Sequence, residues 1–434
     1  MNNKLSNIYK NISKDNLIKI GLVTIAAIVY IIRGYRYIIN PQLFAEDGQE
    51  WLAGGYNEGF SSLTRPLNGF LHTIERIFGL IVAQLPLQFA PFIFNFTAFI
   101  IFCTTVYYII STRTKILSST YERVFMVLTI CLIANVDEFF FNFSNSVFLL
   151  GIVGILILIS NVSKNRVVEY LEKVLYALIC FTLPFSILYT PIVIIEKFKN
   201  TRKSSFYLYI TILGAAAQLI TYLLSSTVRS NVTVPSLFSK YTLLEIYNQI
   251  IIPSTRFARI EYNFVTSSNR YMGIAIVFAI CIFIAMAVYV IITSNKQVRY
   301  FLLFLILMSA ISLTSPLVGL NYTAEETIKI MSTTFNGDRY FIFGILASTL
   351  IIVKFSYYLI SAKFRYVFIL VFISFGLITS LQYQSFNVNR NLKNLSEEYY
   401  TGVKNIESKK SETVKIPINP QYENAGWYIL LNKK

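Results

Sequence analysis

The chain has 434 residues, of which 55% are hydrophobic and only 14% charged, with a formal net charge of +16. Soluble domains carry about 25% charged residues, so this deficit excludes an ordinary soluble protein and points to a bilayer as the solvent for much of the chain. The basic excess is no nucleic-acid footprint, because its clusters recur between apolar runs instead of forming one patch.

The N-terminus, MNNKLSNIYKNISKDNLIKIG, is basic and leads into the apolar run Leu17 to Ile32. No small-residue cleavage site follows, so the run is expected to stay as an anchor. Apolar runs of bilayer length or somewhat less then recur at about 86–111, 122–136, 146–160, 171–184, 185–196, 206–225, 271–293, 300–317, 339–360 and 366–382. With the first run at 17–38, they predict roughly eleven transmembrane helices. The stretch FTLPFSILYTPIVII around Pro184 and Pro191 reads as a kinked hairpin or a re-entrant element.

Basic clusters lie at Lys4/Lys10/Lys14/Lys19, Arg113/Lys115/Arg123, Lys164/Arg166/Lys173, Lys197/Lys199/Arg202/Lys203, Lys296/Arg299 and Lys354/Lys363/Arg365. A cytoplasmic N-terminus puts every one of them on the cytoplasmic side, as the positive-inside rule requires. That side then holds half of the 38 basic residues but only five of the 22 acids. Three outer segments remain: a first loop at 40–85, a second at 226–270 rich in Arg and Tyr, and a polar C-terminal tail at 383–434. Residues 1–382 form the membrane unit.

The first loop opens with Phe44-Ala45-Glu46-Asp47-Gly48-Gln49-Glu50-Trp51, two adjacent carboxylates directly after the first span. Farther on, Phe70, Leu71, Ile74, Ile77, Phe78 and Ile81 share a helical face, with His72, Glu75 and Arg76 elsewhere. That is the pattern of a helix lying in the interface plane. Glu46 and Asp47 suit a general base or a metal ligand, against a solvated Asp-Gly turn. A second pair, Asp137 and Glu138, sits among Phe139, Phe140, Phe141 and Phe143, and reads equally as a polar turn or a site.

Arg65, Arg76 and Arg339 are the outer cations able to fork two N–H groups onto a phosphate. For Arg339 the alternatives are snorkelling to the headgroups and pairing with Asp338. His72, the single histidine, reads first as a hydrogen-bonded structural residue and second as a substrate contact, together with Trp51. The cysteines, Cys103, Cys131, Cys180 and Cys281, lie in apolar runs without CxxC spacing, so inert thiols are expected rather than disulfides or zinc. GxGxxG, Walker A and HExxH patterns are absent.

This arrangement resembles the GT-C class of polytopic glycosyltransferases, which use polyprenyl-phosphate sugar donors and carry an acidic motif in the first extracytoplasmic loop. The segment FAEDGQEWLAGGYNEGFSSLTRPLNGFLH looks most like the first loop of bacterial serotype-converting O-antigen glucosyltransferases, and GDRYF and INPQYENAGWYILL resemble such proteins less specifically. The resemblance implies an all-α GT-C-like bundle in the bacterial inner membrane with its active site facing the periplasm. It implies transfer of a hexose, glucose in those relatives, from a polyprenyl-phosphate donor to a lipid-linked O-antigen acceptor, with inversion by single displacement.

A carboxylate, Glu46 or Asp47, would take the acceptor proton. Arg339, with Arg65 and Arg76, would meet the donor phosphate, or a divalent cation (magnesium or manganese) would do so. A donor synthase and a companion flippase would supply the substrate. No nucleic-acid partner is expected. The rival readings are a lipid-linked oligosaccharide flippase, which would carry charges inside its spans, and an O-antigen polymerase.

Overall fold

The computed structural model describes residues 14–133, 139–198, 205–225, 240–255, 270–314, 338–382, 393–408, 412–421 and 426–433. Long apolar runs satisfy their backbone groups internally as helices, and all eleven predicted runs are helical over most of their described residues. In chain order the helices are α1 (Lys14–Arg33), α2 (Tyr35–Ile39), α3 (Ala53–Asn57), α4 (Thr73–Val82), α5 (Ala90–Ile109), α6 (Thr120–Cys131), α7 (Phe143–Ile159), α8 (Arg166–Cys180), α9 (Phe185–Phe198) and α10 (Ser205–Leu224). They continue with α11 (Lys240–Glu245), α12 (Ile252–Thr255), α13 (Arg270–Thr293), α14 (Lys296–Thr314), α15 (Ile342–Leu359), α16 (Arg365–Gln382) and α17 (Ser396–Glu407).

Six of these are long and apolar enough to cross a membrane: 15–33, 87–109, 205–224, 273–293, 296–313 and 342–359. Three shorter apolar helices lie at Phe143–Ile159, Phe185–Glu196 and Arg365–Ile378. On α13, Ile274, Phe278, Ile284 and Ile292 are exposed, and on α16 so are Val367, Leu370, Val371 and Ile378. Such a surface is costly in water and suits a lipid surround. By contrast α7 and α15 are apolar on every side and buried along most of their length, which makes them the centre of the bundle.

The helix ends that carry the basic clusters are tied to one another. Arg113 forks onto Glu172 at 2.7 and 2.8 Å, with Tyr108 donating to the same carboxylate at 2.9 Å. Lys354 on α15 reaches Glu122 at 2.6 Å, a pair almost wholly buried, and Glu122 also closes a capping box with Ser119 at the start of α6. Arg123 pairs with Asp15, and Lys296 with Glu196 at 3.2 Å. These pairs join α1, α5, α6, α8, α9, α14 and α15 at one end.

The C-terminal region adds a small two-stranded sheet to the otherwise helical fold. After α17, strands β1 (Thr413–Gln421) and β2 (Gly426–Asn432) pair antiparallel, Thr413 opposite Asn432 and Ile418 opposite Trp427. Ile416 and Ile418 on β1, and Ile429 and Leu431 on β2, are buried at the two-residue spacing that puts alternate side chains on one face. All four cysteines are free thiols.

Candidate functional site

The first loop folds tightly after α1 and α2. Residues Asp47–Leu52 make a π-helical turn that runs into α3, and Gly59–Thr64 a 3-10 turn. This segment packs on α4 at contact distance: a Cβ on Gly79 would stand 2.2 Å from the Trp51 carbonyl oxygen, and one on Gly55 2.5 Å from the Gly79 oxygen. Only glycine permits that approach. Single-turn π elements are frequent at functional sites.

Asp47 has no exposed surface, because its carboxylate points into the N-terminus of α7. It accepts from the Ser144 N–H at 2.8 Å, the Ser144 hydroxyl at 2.5 Å and the Phe143 N–H at 3.3 Å. The first-turn N–H groups of a helix have no intrahelical partner and carry the positive end of its dipole, so they favour the anion. Burial outweighs them. It pushes the Asp47 carboxyl from the ordinary 3.8 up to about 7, and the neighbouring Glu46 charge adds to the rise.

Glu46 itself is half-buried and makes no hydrogen bond or ion pair among the described residues. The turn therefore bolts one carboxylate to the bundle and presents the other.

Around this pair stands a charged cluster. Glu50 accepts from Arg65 at 2.6 Å and Arg76 at 3.3 Å, while Arg65 also pairs with Glu58. Arg76 is 1% exposed; it donates to the Glu50 carbonyl at 2.9 Å and lies 4.7 Å from the Trp51 ring centroid. The Trp51 ring also meets the His72 ring at 5.2 Å, and its indole N–H donates to the Ser144 hydroxyl at 2.7 Å. His72 holds Glu75 through Nδ1 at 2.7 Å. The loop is pinned to the turn between α8 and α9, with Thr73 donating to the Phe181 carbonyl at 2.8 Å and Leu183 N–H to the Leu71 carbonyl at 2.9 Å.

The sequence-predicted residues Glu46, Asp47, Trp51, Arg65, His72 and Arg76 thus meet in one place, with corrections. Trp51 is 1% exposed and fills the floor of the cluster, so it offers no face to a sugar. Arg76 is sealed behind Glu50 and cannot reach a phosphate without displacing it, whereas Arg65 keeps 40% of its side chain exposed. On α4 Ile81 is exposed, Glu75 and Arg76 are buried, and Phe78 packs inward with its ring 4.5 Å from Phe143 and 5.1 Å from Phe94. The turn around Pro184 is a helix–helix connection, and Pro191 lies inside α9.

Arg339 sits in the 3-10 turn Asp338–Tyr340, half-buried, its guanidinium 4.9 Å from the Tyr340 ring centroid. One turn on, Phe343 of α15 lies 6.2 Å from Phe148 of α7, which places Arg339 at the end of the bundle where Asp47 meets Ser144. Asp137 and Glu138 lie outside the described residues. Among the described residues no group of three His, Cys, Asp or Glu side chains is placed to hold a metal ion.

Four residues have roles that went unread. Glu50 and Ser144 are the hubs of the cluster, and Glu75 is the partner of the histidine three residues before it. Glu245, the last residue of α11, is 2% exposed and has no partner among the described residues; burial pushes its carboxyl up to about 8. It precedes a second π-helical turn, Ile246–Ile251, with Asn248 and Gln249 also buried. No family model matches the chain, and no curated protein or solved structure matches it.

Proposed function

We propose that the chain is a membrane glycosyltransferase that moves a hexose from a polyprenyl-phosphate donor to a lipid-linked saccharide acceptor, with inversion at the sugar. The observation that carries this reading is the acidic turn after the first membrane helix, where Asp47 is locked to the α7 N-terminus and Glu46 is left unpaired. A donor with its tail in the bilayer presents its anomeric carbon at the level where such a turn stands.

Glu46 is then the base. As the acceptor oxygen bonds to the anomeric carbon, its proton passes to the Glu46 carboxylate. The bond from that carbon to the phosphate oxygen breaks at the same time, and its electron pair leaves on the polyprenyl phosphate. The transition state is oxocarbenium-like, and phosphate needs no general acid. Asp47 is an anchor, being too deeply buried to touch substrate. Arg339 and the exposed side of Arg65 meet the phosphate charge; Arg76 holds Glu50 in place.

This reading takes all eleven apolar helices as crossings, with the N-terminus in the cytoplasm and the first loop and C-terminal hairpin on the outer face of a bacterial inner membrane. The gathering of the basic helix ends, opposite the acidic turn, supports it. The acceptor would be an O-antigen unit, with a donor synthase and flippase upstream.

Membranes containing the chain are given labelled polyprenyl-phosphate glucose and acceptor lipid. Label is expected to move to the acceptor, and Glu46→Gln to slow the transfer by roughly 10² to 10⁴ at unchanged protein level. Transport of a lipid-linked saccharide with no donor consumed would identify a flippase, and polymer growth without the monophosphate donor a polymerase. Wild-type transfer by Glu46→Gln would remove the base assigned here.

A further inference from the structure

The acidic turn is gripped from outside the bundle as well as from within. Ala45, directly before Glu46, has φ 46°, a left-handed conformation that a residue with a Cβ adopts at a cost and that its surroundings must hold. Its N–H donates to the Asn419 carbonyl at 2.6 Å, and Phe44 and Asn419 form an isolated parallel bridge. The Asn419 side chain, 1% exposed, donates to Gln42 Oε1 at 2.7 Å and to the Lys393 carbonyl at 3.0 Å, and accepts from the Lys393 N–H at 3.1 Å.

On the other side of the carboxylates, Gly48 lies flat against the hairpin. A Cβ there would stand 2.6 Å from Ile418 Cδ1 and 2.8 Å from Ile429 Cγ1. The hairpin is itself fastened to the first loop. Asn57 donates to the Leu430 carbonyl at 2.7 Å and accepts from the Asn432 N–H at 2.9 Å. Helix α17 is held by Tyr399, whose hydroxyl donates to the Leu87 carbonyl at 2.7 Å, and by contacts of Asn394 and Ser396 with Asn40.

We propose that helix α17 with strands β1 and β2 acts as a clamp that sets the direction of Glu46, with Asn419 as the positioning residue. The proposal rests on the reading of Glu46 as the base. Asp47 is anchored by α7, but Glu46 has no bond of its own, so its direction follows from the backbone at Ala45. The contact from outside the loop that holds that backbone is the strand carrying Asn419. Released, Ala45 relaxes toward right-handed φ and swings the Glu46 carboxylate away from the acceptor. Misplacing a reacting group by about 1 Å costs on the order of 10²-fold in rate.

The test uses the full-length chain in nanodiscs. Asn419→Ala keeps the main-chain carbonyl that accepts from Ala45 but removes the side-chain bonds to Gln42 and Lys393 that hold that carbonyl in place. It is expected to lower kcat by about 10²-fold with donor KM and membrane level unchanged, and to speed amide exchange over residues 42–50. Ala45→Gly in the Asn419→Ala background is expected to restore most of kcat, because glycine takes positive φ without help. A hairpin that contacts substrate, or one that merely stabilises the chain, would not be rescued in this way.

Should Asn419→Ala fail to reach the membrane, Gly48→Ala wedges the hairpin away from the acidic turn at Ile418 and Ile429, and adding Ile418→Val with Ile429→Ala reopens the space. Unchanged kcat, unchanged exchange over 42–50, or a loss confined to KM would overturn the clamp. If the wild-type chain transfers no sugar, the functional reading alone falls. The exchange arm still decides the clamp: faster exchange supports it and unchanged exchange overturns it.

Discussion

Asp47 offers a measurement in which a single amide substitution strengthens the fold. Burial carries its carboxyl from the ordinary 3.8 to about 7, a span of about three pH units. Each unit corresponds to about 1.36 kcal/mol, so ionising Asp47 costs the folded state roughly 4 kcal/mol. The sign follows from proton counting. Between pH 4 and 7 the folded chain holds the proton and the unfolded chain has lost it, so stability falls as pH rises through that window. Below pH 4 both states are protonated and the cost disappears.

Asp47→Asn removes the ionisation but leaves one of the donors at the α7 N-terminus with a poorer partner, a loss of about 1 kcal/mol. The variant is therefore expected to be about 1 kcal/mol less stable than wild type near pH 4 and roughly 2–3 kcal/mol more stable at pH 8, the two curves crossing between. Trp51 reports on the event directly, since its indole N–H shares Ser144 with Asp47 and the chain has only one other tryptophan. The assay is unfolding in detergent followed by tryptophan fluorescence across pH 4 to 8. Parallel curves for the two proteins would refute the buried, proton-sharing carboxyl.

Three further outcomes are expected. Glu245→Gln removes a second buried ionisation: with its carboxyl raised to about 8 against an ordinary 4.5, wild-type stability falls as pH rises between those values and the variant lacks that slope in the same assay. Lys354→Met strands the buried Glu122 carboxylate and costs roughly 3–5 kcal/mol, read from the same unfolding curves at pH 7; a change under about 1 kcal/mol would mean that water reaches the pair. Arg339→Lys weakens donor use in part and Arg339→Ala severely, seen in initial rate against donor concentration; wild-type dependence in the alanine variant would assign Arg339 to anchoring in the headgroups.

The helices were legible because composition alone decides them: an apolar run in lipid has no other way to satisfy its backbone. The acidic turn was legible because Glu46, Asp47, Glu50 and Trp51 are neighbours in sequence. The hairpin was not, although Ile416 and Ile418, and Ile429 and Leu431, carry the two-residue period. Pro417 and Pro420 argue against a strand unless it lies at an edge, and in a two-stranded sheet every strand is an edge. Glu75 stands three residues from His72 at the start of a helix, a spacing that brings side chains together, so that pair could have been read.

The assignment of roles within the acidic pair was beyond the sequence, because it is made from 97 residues away. Asp47 and Glu46 are chemically near-equivalent, and what separates them is the N-terminus of α7 arriving at one and not the other. That choice in turn depends on Ala45 turning left, which needs Asn419 from the far end of the chain. A segment of two carboxylates is thereby divided into an anchor and a presented group by partners that local pattern cannot see. Exchanging the two side chains, by Glu46→Asp together with Asp47→Glu, keeps composition and charge. It puts the longer side chain where the α7 N–H groups leave room only for the shorter one, and shortens the reach of the presented carboxylate by one methylene. This double variant is accordingly expected to lose sugar transfer and stability together, while a wild-type rate would show that the pair acts as an undivided acidic patch.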